Sequence, residues 1–157
     1  MADLAAARLG LRDCEPLELM GEMGEKPYGI GKIGSLKQPM ELEQLARRVK
    51  EAFGLPFVVV YGQNQVPDPV HRAAICPGAG GSEIERAIAG GAQVLVTGDI
   101  SHHQGIDSVA RSMAVIDAGH YGLEHIFIDY MAGFLEEQFG RDLELVKALP
   151  EWPAVVL

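Results

Sequence analysis

A histidine and a glutamate four residues apart close the run Val115-Ile-Asp-Ala-Gly-His-Tyr-Gly-Leu-Glu124. A short apolar stretch ends there in Asp-Ala-Gly, and the i, i+4 spacing puts His120 and Glu124 on one face of a helix that starts near Gly119. Imidazole nitrogen and carboxylate oxygen together suit zinc, manganese or iron better than calcium. A protein ligand set short of four leaves positions for water or substrate. A plainer alternative stays open at this level: Glu124 complements the helix dipole from the first turn, and His120 caps or hydrogen-bonds.

The same acid and imidazole spacing recurs at Asp99 and His103 in Thr97-Gly-Asp-Ile-Ser-His-His103. Neutral imidazole is a natural general base, or a partner that holds a ligand histidine in one tautomer. Asp99 is equally placed to cap the helix that follows, with His102 facing solvent. Asp117 has a similar double reading, and Tyr121 offers a hydroxyl to whatever His120 holds. A third turn, Cys76-Pro-Gly-Ala-Gly-Gly-Ser82, is glycine-rich and precedes a helix. Its backbone N–H groups can approach an anion, but Glu83 and Glu85 would repel phosphate, so close strand–helix packing is the favoured role. Cys76 has no adjacent base to make it a nucleophile.

The elements that must position these residues follow from periodicity. Three apolar runs, 72–76, 93–97 and 113–117, alternate with helical segments over 82–89, where Ser82 and Glu85 match a capping box, and over 103–112. That rhythm predicts a βαβαβ unit with parallel pairing. The fold class expected is α/β, a mostly parallel or mixed sheet of βαβ units flanked by helices. Ligands in such sheets bind beyond the carboxyl ends of the strands, where all three turns fall.

Upstream, residues 3–9 predict a short helix, 16–20 a short strand, 40–53 an amphipathic helix, 57–61 a strand and 64–69 a turn. The glycines of Tyr28-Gly-Ile-Gly-Lys-Ile-Gly34 lack Walker spacing and follow a proline, so they predict a tight-turned extended segment instead of a phosphate loop. Downstream, 121–138 carries Leu123, Ile126, Phe127, Tyr130, Met131, Phe134 and Leu135 at helical spacing, most of them expected in the core. A final strand is expected over 143–149, then a tail over 150–153 around Trp152.

The chain has 157 residues, 48% hydrophobic and 22% charged, enough for one domain, 1–157, with a real core. A net charge of −9 disfavours non-specific nucleic-acid binding, which needs a basic face. Two distant cysteines, Cys14 and Cys76, read as free thiols of a reducing compartment. The amino terminus lacks a signal-peptide profile and no apolar run spans a bilayer, so a cytoplasmic location without a membrane partner is expected.

Val96-Thr-Gly-Asp-Ile100 with His103, followed by Ile116-Asp-Ala-Gly-His-Tyr-Gly-Leu-Glu124, resembles the carboxyl-terminal half of the Nif-three-like family, also called GTP cyclohydrolase I type 2 homologs. The segments Tyr28 to Gly34, Gln44-Leu-Ala-Arg-Arg-Val-Lys50 and Gly80-Gly-Ser82 fall in the same order. The similarity runs from about residue 3 to the end, and Gly-His-Tyr-x-x-Glu is its most specific mark.

The resemblance implies a metal-dependent hydrolase with two neighbouring divalent ions, a ring-like homo-oligomer and a small-molecule substrate of unspecified identity. It assigns His120 and Glu124 as ligands of zinc, manganese or iron. Family sites complete the set with a His-His pair and an aspartate from the amino-terminal half, whose His-His-Pro element this sequence lacks. His102-His103 lies in the other half's motif: His103 matches a family histidine, and His102 and Gln104 replace the tyrosine and aspartate that commonly flank it. The chain is then a fragment or a natural short form. The ion would be only partly held unless Asp99 or another chain completes its ligands, with His103 as proton shuttle or as support for a ligand. The alternative class is a non-enzymatic oligomerisation or interaction module with an incomplete metal site.

Overall fold

Val94, Val96, Ala114 and Ile116 pack into one apolar core and Leu95 and Val115 into another, and all six are fully buried. Side chains alternate across a strand, so runs of this kind require a sheet covered on both faces. The structure, a computed structural model, describes residues 1–66 and 69–152.

In chain order it contains α1 (Ala2–Leu9), β1 (Leu11–Met23), β2 (Lys26–Met40), α2 (Leu42–Ala52), β3 (Val59–Tyr61), β4 (Val70–Ala79), a 3-10 turn Gly81–Glu83, α3 (Ile84–Ala89), β5 (Val94–Gly98), α4 (His102–Ala110), β6 (Ala114–Asp117), α5 (His120–Glu124) and α6 (Ile126–Phe139). The strands form one six-stranded sheet in the order β1-β2-β4-β5-β6-β3. Pairing is parallel from β4 through β5 to β6 and antiparallel elsewhere, so the expected βαβαβ unit is the centre of a mixed sheet.

On one face α1 lays down Ala5, Ala6 and Leu9, and α2 lays down Leu42, Leu45, Ala46 and Val49, the i, i+3, i+4, i+7 stripe of an amphipathic helix. Leu123 and Ile126 join the same core and anchor the start of the carboxyl-terminal helices. On the other face Ile84 and Ala87 of α3 cover Leu95 and Val115 together with Met113 and Ile100. A buried ammonium needs a partner. Lys32 of β2 finds one in Asp3 of α1, at 2.8 Å.

Several sequence expectations are corrected here. The short strand over 16–20 is the middle of a 13-residue strand, because β1 pairs with β2 as a long hairpin from Leu11↔Leu36 to Met23↔Lys26. The glycines of 28–34 lie in that hairpin, where a Cβ at Gly34 would stand 2.6 Å from the carbonyl of Arg12 on the facing strand. Ser82 caps nothing: its hydroxyl donates to Glu83 Oε1 at 3.0 Å, and α3 begins only at Ile84 without a side-chain cap. Residues 143–149 form no strand; they follow a 3-10 turn without regular structure. In α6 the core takes only Ile126, while Phe127, Tyr130 and Phe134 are 42–54% exposed, so a helical apolar spacing there does not mean burial in this chain. The expected 64–69 turn includes Pro67 and Asp68, and the tail includes Pro153; these lie outside the described residues. Among the described residues no helix is long and apolar enough to cross a membrane.

Candidate functional site

The turn after β6 is set by one carboxylate and one glycine. Gly119 adopts φ 73° and ψ 146°, a conformation ordinary residues avoid, and it swings the chain into α5 with His120 as the first helical residue. Asp117 Oδ1 accepts from the Gly119 N–H and Oδ2 accepts from the Ile100 N–H, both at 2.9 Å. One side chain therefore pins the turn after β6 to the turn after β5.

That clamp brings Asp99 to His120. The Asp99 carboxylate Oδ2 lies 2.9 Å from His120 Nδ1, across 21 residues of sequence. On the other side of the ring, His120 Nε2 lies 3.2 Å from Glu124 Oε2. Asp99 has φ 57°, a left-handed conformation that costs a non-glycine residue about 1–2 kcal/mol, and it is held there beside the imidazole. The hydrogen bond to Asp99, with the Glu124 charge adding, raises the His120 pKa above its ordinary value. All three side chains are about half exposed.

The floor under the pair is Gly78, at φ 83° near the end of β4. A Cβ there would stand 3.0 Å from Glu124 Oε1 and 3.4 Å from His120 Nε2. The rest of the glycine-rich turn is pressed equally close, Gly80 to Thr97 and Gly81 to Gln104, and Thr97 Oγ1 donates to the Gly78 carbonyl at 3.3 Å. Packing is thus the work of this turn. Burial pushes the Cys76 thiol up to about 11, with the negative charges of Glu83 and Glu124 adding, so at neutral pH it is a buried neutral thiol and not a nucleophile.

Of the residues singled out from sequence, the fold brings together Asp99, His120 and Glu124. It does not bring His103 to them. Ser101 is the cap of α4, its Oγ accepting from the Gln104 N–H at 3.3 Å while Gln104 Oε1 accepts from the Ser101 N–H at 3.0 Å. Asp99 therefore precedes the helix, and His103 stands exposed in its first turn with its ring 5.7 Å from that of His102. No hydrogen bond among the described residues joins His103 to Asp99, His120 or Glu124. Tyr121 engages through its ring, 5.7 Å from that of Trp152. Gly78 and the clamping role of Asp117 were not singled out from sequence. The signal for Asp117 was present in Asp-x-Gly, where an aspartate accepts from a backbone N–H two residues on; Gly78 gave none.

Chemically, the Asp99 acceptor holds a proton at Nδ1, and the Nε2–H of the protonated ring donates to Glu124; loss of that Nε2 proton is what leaves a lone pair there for another electrophile. The arrangement offers two donor groups of the kind that bind borderline metal ions, one of them oriented by a further carboxylate. Among the described residues no group of three or more His, Cys, Asp or Glu side chains is disposed to hold a metal ion.

The family model described as Duf34/NIF3 (NGG1p interacting factor 3) matches residues 1–149. A Streptococcus pneumoniae protein named GTP cyclohydrolase 1 type 2 homolog is 39% identical over 111 residues, covering 69% of this chain and 41% of its own length. A Schizosaccharomyces pombe protein named NIF3 homolog is 31% identical over 140 residues, covering 88% of this chain and 49% of its own length. The chain thus spans less than half the length of these two relatives. In structure, a Bacillus cereus protein related to NIF3 superposes over 99% of this chain and 69% of its own with a TM-score of 0.86 at 19% identity, a likeness of fold. With a family model matched over nearly its whole length, and relatives and fold in agreement, this chain belongs to the Duf34/NIF3 family.

Proposed function

We propose that this chain is a divalent-metal-binding module of a metal-dependent hydrolase, with His120 Nε2 and the Glu124 carboxylate as its ligands for zinc, manganese or iron. The observation that carries the reading is the line Asp99–His120–Glu124, a carboxylate, an imidazole and a second carboxylate at 2.9 and 3.2 Å. The residues present fit such an ion on two counts. Histidine ligands of metals characteristically give their other nitrogen to a carboxylate, as His120 does to Asp99. Gly78 also leaves the donor pair without a side chain beneath it.

An ion bound there supplies Lewis acidity toward a carbonyl or phosphoryl oxygen and activation of water. This chain's own residues do the positioning. Asp99 holds the Nδ1 proton and the ring plane, Asp117 holds the two turns together, and Glu124 brings the negative charge that favours a cation. Two protein ligands leave the set incomplete, and the remaining positions fall to a further segment or another copy. His103 is left out of this reading, since no hydrogen bond among the described residues ties it to the group. The substrate is a small molecule; no residue described here selects GTP, and that name belongs to the relatives.

The test is elemental analysis of protein purified without chelator, beside the double variant His120→Ala/Glu124→Gln. Metal near one equivalent in the native protein and lost in the variant is the expected result. Equal metal content in both overturns it. A second reading, an assembly module, is favoured by the exposed ring face of α6, where Phe127, Tyr130 and Phe134 are 42–54% exposed. A native mass of one chain, unchanged by Phe134→Glu, would remove it.

A further inference from the structure

Past α6 the chain turns back. Gly140 adopts φ 57°, and after the 3-10 turn residues 143–152 have no regular structure. Two contacts fix their path. Lys147 Nζ lies 2.8 Å from Asp129 Oδ1 in the first turn of α6, and the Trp152 ring lies 5.7 Å from that of Tyr121 in α5 and 5.5 Å from that of His125 just after it. The segment therefore runs back along α6, from the end of that helix to its beginning, and reaches α5.

Between these contacts little holds it. Val146 and Leu149 are 85% and 83% exposed, and no backbone hydrogen bond among the described residues ties 143–152 to the rest of the chain. A cavity of about 780 Å³ is lined by Ala132, Gly133 and Glu136 of α6 and by Leu143 and Leu145 of the segment, so the segment stands off the helix there. The Lys147–Asp129 pair is exposed on both partners, and ion pairs of that kind hold weakly and are screened by salt.

The far end is held differently. Trp152 is partly buried and packs against the core that contains Leu55 and Leu123. A Cβ at Gly122 would stand 4.0 Å from Trp152 Cζ3, so the indole lies against backbone that carries no side chain there. Together with Asp99, His120 and Tyr121, Trp152 also lines a cavity of about 250 Å³. That volume is below the roughly 300–1,000 Å³ of pockets that enclose a whole small ligand. A segment with few buried contacts and no backbone hydrogen bonds opens locally, well before the fold does.

We propose that residues 143–152 are a strap at the candidate site, with Trp152 as its latch and the Lys147–Asp129 pair as its release. Closed, the strap restricts the cavity beside His120. Open, it adds to that cavity the space that the indole fills, and reclosing shuts water out. The proposal gives the site described above a means of regulation and rests on the metal reading for its catalytic meaning; the movement itself requires no metal.

The experiment treats chelator-washed protein with diethyl pyrocarbonate at one fixed pH and follows the modification rate of each histidine by peptide mass spectrometry. His125 reports the latch and His120 the site, while His103, exposed in α4, is the control. The double variant Lys147→Met/Asp129→Asn breaks the anchor without altering net charge, and Trp152→Ala removes the latch. In the double variant His125 should react about two- to fivefold faster and His120 at least about twofold faster, with His103 and the urea midpoint unchanged. Trp152→Ala should raise both rates further. A faster His125 with His120 at its native rate overturns the proposal, and so does no change at either residue or an equal rise at His103. Metal retained by the native protein, with the His120 rate unmoved in both variants, removes the strap and leaves the metal reading. A His120 rate that rises in a protein that takes up no metal keeps the strap and removes the metal reading.

Discussion

Asp99 and His103 carry the same four-residue spacing as His120 and Glu124, and the two pairs have opposite fates. Gly119 ends the turn after β6 one residue before His120, so His120 and Glu124 both lie inside α5 and meet at 3.2 Å. After β5 the helix begins three residues later relative to its pair: Ser101 is the cap, Asp99 lies outside with φ 57°, and only His103 is helical. An i, i+4 spacing produces a shared face only where both residues have helical dihedrals. Where one is outside, its side chain is free to be recruited from elsewhere in the fold, as Asp99 is by His120.

The largest expected effect tests the contrast directly. His120→Ala should abolish metal retention in equilibrium dialysis against zinc or manganese, whereas His103→Ala should leave it within experimental error and change stability by less than about 0.5 kcal/mol. Equal losses in both would mean that the two turns act together after all.

Next in size is the link between the turns. Asp99→Asn keeps a residue that tolerates a left-handed backbone but removes the charged acceptor at His120 Nδ1, and metal affinity should fall about 10–100-fold with the fold intact. An unchanged affinity would show that Asp99 does not orient the ligand. Asp117→Ala removes two hydrogen bonds to a carboxylate and should lower stability in urea unfolding by about 2 kcal/mol. If the loss is much smaller, the two turns are held by something other than the clamp.

The smallest effect should be confined to the second turn. Ser101→Ala removes the cap of α4 at a cost of about 1 kcal/mol, with metal retention unchanged. A loss of metal would tie α4 to the site more closely than its hydrogen bonds do.

Much of this is legible in the sequence. The stripe of Leu42, Leu45, Ala46 and Val49 predicts α2, and the buried runs over 93–97 and 113–117 predict the parallel centre of the sheet. The less legible parts have particular reasons. The 13-residue β1 is broken in sequence by Pro16 and Gly21, and β2 by three glycines, so neither shows strand alternation; the facing strand, with register shifts near Arg12 and Leu19, supplies what the local pattern lacks. The apolar residues of α6 have helical spacing, but periodicity says which residues share a face and not whether anything covers it.

By itself, the sequence determined what depends on neighbours within a turn or two: the elements of the βαβαβ unit, the stop at Gly119, and the His120–Glu124 pair that follows from it. Such features are set by dihedral preference and apolar period, both local quantities. Only the tertiary structure decided that Asp99 serves His120 and not His103, that Gly78 lies beneath the pair, and that Phe57 and Trp152 line one cavity beside it. Those contacts join residues tens of positions apart, brought together by the parallel stacking of β4, β5 and β6, and no spacing along the chain records them.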